Sequence, residues 1–374
     1  MKVLHILTDT NIGGAGKTVL ALADWASGNK YKNSVEAVIP YQSALKPEFE
    51  KRFVPVYEAA FISDKSFDIR AVRSLKHILK RVKPDIVHTH AALSGRIAAR
   101  VYSRAKVVST RHSMFDLKPK DRRFVRRLAT HIVNSLFSDA IIAVSPAVEE
   151  NIKALGTPAK KIHMIFNGTP RAEVFEWDKR YAIRSEYGLS HNDFVVSIMA
   201  RLSEEKDHDT VLDAAKKIMD IDPGVKFIIA GEGPMESHLK GRVRAEGIKN
   251  VMFTGFVKNI VNIENITNLQ VNASIGTEAT SMALISGMSL GIPVVASDFG
   301  GNPYVVADGV NGLLFPKRGS QAMANAIMRI KNNRDMYDNM SFQALETYET
   351  RFTLEVMGGN TYALYELLMK GANC

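Results

Sequence analysis

The sequence holds a single cysteine, Cys374, its last residue. One thiol closes no intramolecular disulfide and builds no cysteine-based zinc site, a usage that fits a reducing cytosol. Long apolar runs are missing too. Val3 to Leu7, Ala140 to Val144, Phe194 to Ala200 and Pro293 to Ala296 all fall far short of the ~20 residues of a membrane-spanning helix. Polar Thr8-Asp9-Thr10-Asn11 follows Val3-Leu4-His5-Ile6-Leu7 at once. That apolar segment is too short for a secretion signal and predicts a first β-strand, so the expected location is cytoplasmic.

What is present is ordinary for a globular chain. Apolar residues make up 46% and charged residues 24%, which excludes global disorder. A length of 374 residues predicts two domains, each with its own core. Charge divides them. Residues 1–190 carry a net +14 and residues 191–374 a net −4. The densest basic stretch is Lys118, Lys120, Arg122, Arg123, Arg126 and Arg127. It reads as a solvated helix face or as a surface for an acceptor, anionic lipid or polyanion. Nucleic acid ranks below both, because few aromatics interleave and no nucleic-acid motif is present.

Strands and helices alternate throughout. Short runs rich in Val and Ile predict strands at 2–8, 35–39, 85–89, 106–109, 139–144 and 162–166, with helices at 16–28, 68–82, 92–104, 120–135 and 146–154. The second half predicts strands at 194–200, 226–230, 251–254, 269–273, 293–296 and 312–315. Its helices are expected at 207–220, 234–246, 281–290, 319–332 and 334–346. This alternation means parallel sheets covered by helices, and so two doubly wound α/β domains. The expected division is 1–172, a linker at 173–192, 193–350, and a terminal segment 351–374. Open parallel sheets take ligands at the carboxyl ends of their strands, so the chemistry belongs on the loops that follow strands.

Those loops carry candidates. After the first strand come Asn11, Ile12, Gly13, Gly14, Ala15, Gly16, Lys17 and Thr18. A full P-loop needs glycine where Asn11 stands, and the deviant form needs lysine where Ile12 stands. The loop reads as a phosphate- or acceptor-facing turn, as a plain tight turn, or as a deviant P-loop ATPase; a glycine turn opening a helix offers backbone N–H groups to an anion in any case. His88 and His90 share one side of a strand at its carboxyl end; metal ligation by such a pair would need a third ligand. Arg201 and Lys206, five apart after the strand 194–200, form a cationic pair fit to neutralise a diphosphate. Gly231-Glu232-Gly233-Pro234, Gly255-Phe256, Glu278 and Gly300-Gly301 follow later strands.

In order and position, this set resembles the family-4 retaining glycosyltransferases of the GT-B fold. The likeness covers nearly the whole chain and is strongest from Phe194 to Phe315. It rests on Arg201 with Lys206, Gly231 to Pro234, Gly255-Phe256, Pro293 to Asp298, Gly300-Gly301, and Asp308 to Phe315. The resemblance implies two Rossmann-like domains facing across a cleft, and a C-terminal helix near Leu354 to Leu368 that packs back toward the first. It implies transfer of a hexose, with retention, from a UDP- or GDP-linked donor to a hydroxyl of a cell-envelope glycan or lipid-linked acceptor. Arg201, Lys206, Glu278 and His90 would be catalytic. Gly13, Gly14, Gly16, Gly231, Gly255, Phe256 and Ser286 would face the donor. No cofactor and no metal is expected, since cationic side chains can carry the leaving charge. Peripheral contact with an anionic membrane is a further expectation.

The chain departs from the family pattern in three places, one of them Ala279-Thr280-Ser281 where the family has Gly-aromatic-Gly after the first glutamate. The second of the family's paired glutamates falls on Ser286, and the glutamate after Gly-Gly-x-Pro is Tyr304. A serine hydroxyl cannot accept from both ribose hydroxyls as a carboxylate does. A non-catalytic or weakly active sugar-nucleotide-binding protein is therefore one alternative. The others are the ATPase and a GT-B epimerase.

Overall fold

The computed structural model describes residues 1–60, 67–90, 92–114, 117 and 124–371. It divides into two units, residues 1–169 with 353–374, and residues 170–352.

The first unit holds seven strands: β1 (Val3–Ile6), β2 (Val35–Pro40), β3 (Val56–Ala59), β4 (Ile86–His90), β5 (Lys106–Arg111), β6 (Ala140–Ala143) and β7 (Ile162–Met164). They form one parallel sheet in the order β3-β2-β1-β4-β5-β6-β7. Around it lie α1 (Gly14–Ser27), α2 (Lys46–Glu50), α3 (Ile69–Val82), α4 (Leu93–Tyr102), α5 (Phe124–Phe137) and α6 (Pro146–Ala154). A parallel sheet covered on both faces needs apolar side chains on both sides of each strand. Accordingly β1, β2, β4 and β6 are buried at every residue. Helix α3 shows the local logic. Asp68 caps it by accepting from the Arg70 N–H; Val72, Leu75 and Leu79 are buried; Lys83 ends it in the left-handed region, one residue before Pro84. Ile69 is 51% exposed because it stands in the first turn, beyond the reach of the sheet.

The second unit repeats the scheme with β8 (Phe194–Met199), β9 (Val225–Ala230), β10 (Val251–Gly255), β11 (Leu269–Asn272), β12 (Val294–Ser297) and β13 (Gly312–Phe315). The sheet is parallel, in the order β10-β9-β8-β11-β12-β13. Its helices are α7 (Trp177–Glu186), α8 (His208–Met219), α9 (Glu236–Ala245), α10 (Val261–Ile266), α11 (Met282–Met288), α12 (Asn302–Val305), α13 (Ser320–Lys331) and α14 (Arg334–Arg351). Helix α7 lies in the stretch read from sequence as a linker. Its Ile183 joins Phe175, Leu189, Val195 and Ile263 in a buried cluster of this unit. The last helix, α15 (Leu354–Met369), belongs to the first unit. It lies on α1: the Tyr362 hydroxyl is 3.0 Å from Ser34 Oγ, and Gly358 approaches the Trp25 ring so closely that a Cβ would sit 2.3 Å from it.

In both sheets the strand order reverses once, between β1 and β4 and between β8 and β11. At such points the connections leave on opposite faces and open a crevice at the strand carboxyl ends. Residues after β1, β4, β8 and β11 are therefore the ones the fold places for chemistry.

Candidate functional site

In the first unit the turn after β1 opens α1. Gly13 caps the helix in extended conformation, and a Cβ at Gly13 or Gly14 would meet nothing within 4 Å. The first turn of this 14-residue helix has backbone N–H groups without intrahelical acceptors, the kind of donors that receive an anion. Gly16 differs, because its Cβ position is 2.6 Å from Leu45 Cδ2; it is small for packing. The Thr18 hydroxyl donates to Gly14 O at 3.0 Å and lies 3.4 Å from Asn167 Oδ1. A P-loop aims that hydroxyl at a magnesium ion. Here it is buried and turned inward, so the ATPase reading loses its second landmark.

Beside this turn the sheet carries a file of imidazoles. His5 on β1 pairs in register with His88 on β4, and His90 lies two residues further along the same side. His5 Nδ1 is 3.0 Å from His90 Nε2, and His90 Nδ1 is 2.8 Å from His112 Nε2, just after β5. His88 is held by the Tyr365 hydroxyl at 2.5 Å and Thr110 Oγ1 at 2.6 Å. Burial drives His5 down to about 3. It also drives His112 down to about 4, helped by the nearby Arg111, and holds His88 and His90 well below the usual histidine range. All four are neutral at neutral pH. A neutral imidazole donates through one nitrogen and accepts through the other, so the protons of the His5–His90–His112 chain must all point one way. His90, read from sequence as approaching the sugar itself, is buried with both nitrogens engaged; His112, at the end of the chain, is the half-buried member. Sequence reading missed His112 and His5. Their signals were a histidine three residues past the strand 106–109 and one interrupting an otherwise apolar first strand.

In the second unit the loop after β8 meets the loop after β11. Lys206 ends a 3-10 turn (Glu204–Lys206). Its Nζ lies 2.7 Å from Glu278 Oε2 and 3.4 Å from Ser274 Oγ. The same carboxylate oxygen accepts from Ser274 Oγ at 2.8 Å and from Asn272 Nδ2 at 3.2 Å. Asn272 also donates to Ser281 Oγ, which caps α11. Burial alone would raise the Glu278 carboxyl. The Lys206 ammonium and the two neutral donors outweigh it and hold the group below the usual carboxylate range. A small cavity at this point is lined by Ala200, Lys206, Asn272, Ser274 and Ser281. Asn272, Ser274 and Ser281 were not singled out in the sequence; Asn272 closes a buried strand, and Ser281 is the capping serine before α11.

Glycine permits the crowding here. The Gly231 φ of 149° places a would-be Cβ 2.0 Å from Ala200 O, and the one at Gly301 would lie 1.8 Å from Ala279 O. Gly301 N donates to Glu278 O at 2.9 Å, so this approach fixes the backbone that carries the glutamate. Gly231 N donates to Gly255 O, and Phe256 N to Glu232 Oε1 at 3.2 Å, joining the loops after β9 and β10. The Phe256 ring is 72% exposed, an apolar plane available for stacking. Arg201 is exposed, its charge free to meet an anion. Ser286 is half-buried on α11, and Tyr304 half-buried on α12. Of the basic cluster, Lys118, Lys120, Arg122 and Arg123 lie outside the described residues; Arg126 and Arg127 are exposed on α5.

Known proteins share this organisation. Residues 12–173 match the glycosyltransferase family 4 and residues 179–347 the glycosyl transferases group 1. A galactosyltransferase of Escherichia coli, named for UDP-Gal and α-D-GlcNAc-diphosphoundecaprenol, is 27% identical over 71% of each chain. The N-acetyl-α-D-glucosaminyl L-malate synthase of Bacillus anthracis is 21% identical over 95% of this chain and 94% of its own. Among solved structures, the Anabaena protein HepE in complex with UDP superimposes with a TM-score of 0.83 at 22% identity, over 98% of this chain and all of its own. Paired parallel sheets, loops converging where strand order reverses and two family matches that together span most of the sequence lead to one assignment: the chain belongs to the family-4 glycosyltransferases, with the GT-B fold.

Proposed function

We propose that the protein moves a hexosyl group from a UDP-linked donor to a hydroxyl of a lipid-linked or cell-envelope glycan acceptor at the cytoplasmic face of a membrane, with retention at the anomeric carbon and without a metal. The observation that carries this reading is the largely buried Lys206–Glu278 pair at 2.7 Å, with Arg201 exposed on the same loop. As the anomeric C–O bond breaks, negative charge grows on the departing diphosphate. Arg201 and Lys206 are the cations that meet it, and fixed cations cost no reorganisation at that moment. Glu278, ionised and held by three donors, is the acceptor for hydroxyls of the donor sugar. The open first-turn amides after Gly13 serve the phosphates or the acceptor. UDP as the nucleotide is supported by the E. coli relative's UDP-Gal and by the UDP bound to HepE.

The test is a thermal-shift screen of UDP-galactose, UDP-glucose, UDP-N-acetylglucosamine and GDP-mannose, since a ligand of the native state raises its melting temperature. UDP release with an undecaprenyl-diphosphate-linked sugar and the anomeric coupling constant of the product follow. A UDP-sugar should stabilise the protein and give an α-linked product. Response to GDP-mannose alone, or a β-linked product, overturns the reading.

A further inference from the structure

Asn302 is wholly buried, an amide at the head of the four-residue helix α12. Burying an amide is costly unless it is hydrogen-bonded, and this one bonds to the strand ends that carry the site. Asn302 Nδ2 lies 3.2 Å from Ser297 O, 3.1 Å from Ser297 Oγ and 3.4 Å from Asn272 Oδ1, and its two N–H bonds divide among these acceptors. Ser297 Oγ gives its own proton to Ser274 O at 2.6 Å. Asn272 Oδ1 also accepts from Ser274 N at 2.9 Å. Backbone N–H groups only donate and carbonyls only accept, so neither amide can be turned over. Asn272 therefore aims Nδ2 at Glu278 Oε2 and Ser281 Oγ, at 3.2 and 2.9 Å. The ladder runs one way, from the end of β12 through Asn302 and Asn272 to the carboxylate. It ends on a single oxygen. Lys206, Ser274 and Asn272 all donate to Glu278 Oε2, and Oε1 accepts from none of the described residues.

We propose that Asn302 is a positioning residue for sugar transfer: through Asn272 it holds the Glu278 carboxylate in the rotation that gives Oε2 to the protein and leaves Oε1 to a hydroxyl of the donor sugar. The inference rests on the donor-binding reading of Glu278 given above. Three donors on one oxygen leave the other its full acceptor capacity, and a hydrogen bond to an ionised acceptor is about twice as strong as a neutral one. Two of the three donors, Lys206 Nζ and Ser274 Oγ, turn about single bonds and can follow the carboxylate as it rotates. The planar Asn272 amide has a fixed direction, set at its oxygen by Asn302 and Ser274 N. Without Asn302 that oxygen keeps only Ser274 N, and the amide can swing toward Ser281 Oγ, the capping oxygen of α11. The turn Gly300-Gly301-Asn302 thus fixes Glu278 twice, by the Gly301 N–H on its backbone carbonyl and by Asn302 on its carboxylate.

The experiment compares Asn302→Leu and Ser297→Ala with Asn311→Leu in the full chain. Asn311 is as buried as Asn302 and lies in the same unit, but its amide bonds to Ala307 N, Val305 O and Thr347 Oγ1. Calorimetry measures the affinity for UDP and for the UDP-sugar that binds wild type best. Infrared difference spectra without ligand, each protein against the same protein carrying Glu278→Gln, isolate the Glu278 carboxylate. The splitting of its two stretches reports how unequally its oxygens are hydrogen-bonded. Both leucine variants should melt lower than wild type, since each leaves a buried carbonyl without its donor. Asn302→Leu should weaken the UDP-sugar relative to UDP by about tenfold and narrow the splitting. Ser297→Ala, a milder change that decides the matter should the leucine variant fail to fold, should do the same by about twofold. Asn311→Leu should leave both readouts at wild type. Equal loss of both ligands, an unchanged splitting in Asn302→Leu and Ser297→Ala, or an Asn311→Leu variant that moves as far would each overturn the proposal. If the donor reading is the one that fails, no UDP-sugar binds wild type while the splitting still answers to Asn302 and Ser297, and the positioning role stands without it.

Discussion

Lys206 Nζ and Glu278 Oε2 lie 2.7 Å apart although 72 residues separate them in the chain. The side chains are 23% and 8% exposed, so the pair is mostly out of water. Breaking a fully buried pair costs about 3–5 kcal/mol; the partial exposure of Lys206 puts this one nearer about 2–3 kcal/mol. Lys206→Ala should therefore both lower the melting temperature of the second unit and abolish turnover. Adding Glu278→Gln should recover most of the stability, since no unpaired carboxylate remains, and none of the turnover. A double variant as unstable as the single one would show that the pair is held by other contacts.

Gly14 separates ligand effects from folding effects. A Cβ added there meets nothing within 4 Å, and a β-carbon at the start of α1 costs the helix little. Gly14→Val should leave melting within about 0.5 kcal/mol of wild type, as neutral surface substitutions do. Turnover should fall at least tenfold, because the side chain fills the space in front of the first-turn amides. Unchanged kcat/KM would remove the turn from the site.

The four linked imidazoles His5, His88, His90 and His112 set an acid limit on the first unit. Their folded pKa values lie below the unfolded ~6.5, so the unfolded chain binds more protons and stability falls as pH drops below about 6.5. Each contributes up to about 1.4 kcal/mol per pH unit until its own folded value is reached. Even two of the four should remove roughly 2–3 kcal/mol between about pH 6 and pH 5. In the second unit His208 is held near 4, mainly by burial. Calorimetry across this range should show the first unit's transition falling more steeply than the second's, and His5→Gln with His88→Gln should flatten it. Parallel shifts of both transitions would refute the assignment.

The sheets were legible in the sequence because buried parallel strands are short Val- and Ile-rich runs between helices, and every strand of the second unit lies where that pattern puts it. β3 was not, since Val-Tyr-Glu-Ala at a sheet edge is only half-buried and has no apolar run to show. Helix α7 was hidden by a polar sequence in which only Ile183 is buried. Lys206 and Glu278 could be named from loop position, whereas Asn272, Ser274 and Ser281 are defined by what they touch in space. His90 stood out as half of a His-x-His pair, but its neighbours His5 and His112 come from other strands, and pairing across strands is invisible to spacing along one chain.

Ser286 is where the sequence predicts a deviation in donor binding. The hydroxyl stands half-buried on α11, two turns of chain beyond Glu278 and in place of the family's second glutamate. A charged acceptor contributes about 1.5–3 kcal/mol to a hydrogen bond and a neutral one about half that or less. Ser286→Glu should therefore tighten donor binding by about tenfold, since ~1.4 kcal/mol is a factor of ten, and leave kcat nearly unchanged because the ribose does not react. Arg201→Ala should do the opposite. The side chain is exposed, so stability stays; the charge it meets develops in the transition state, so kcat should fall by about 10²–10³ with little change in KM. Donor titrations of the wild type and both variants, following UDP release, separate the two effects. If Arg201→Ala leaves kcat intact, leaving-group stabilisation does not pass through this loop. If Ser286→Glu only lowers the melting temperature, the serine is there for packing and the ribose is held elsewhere.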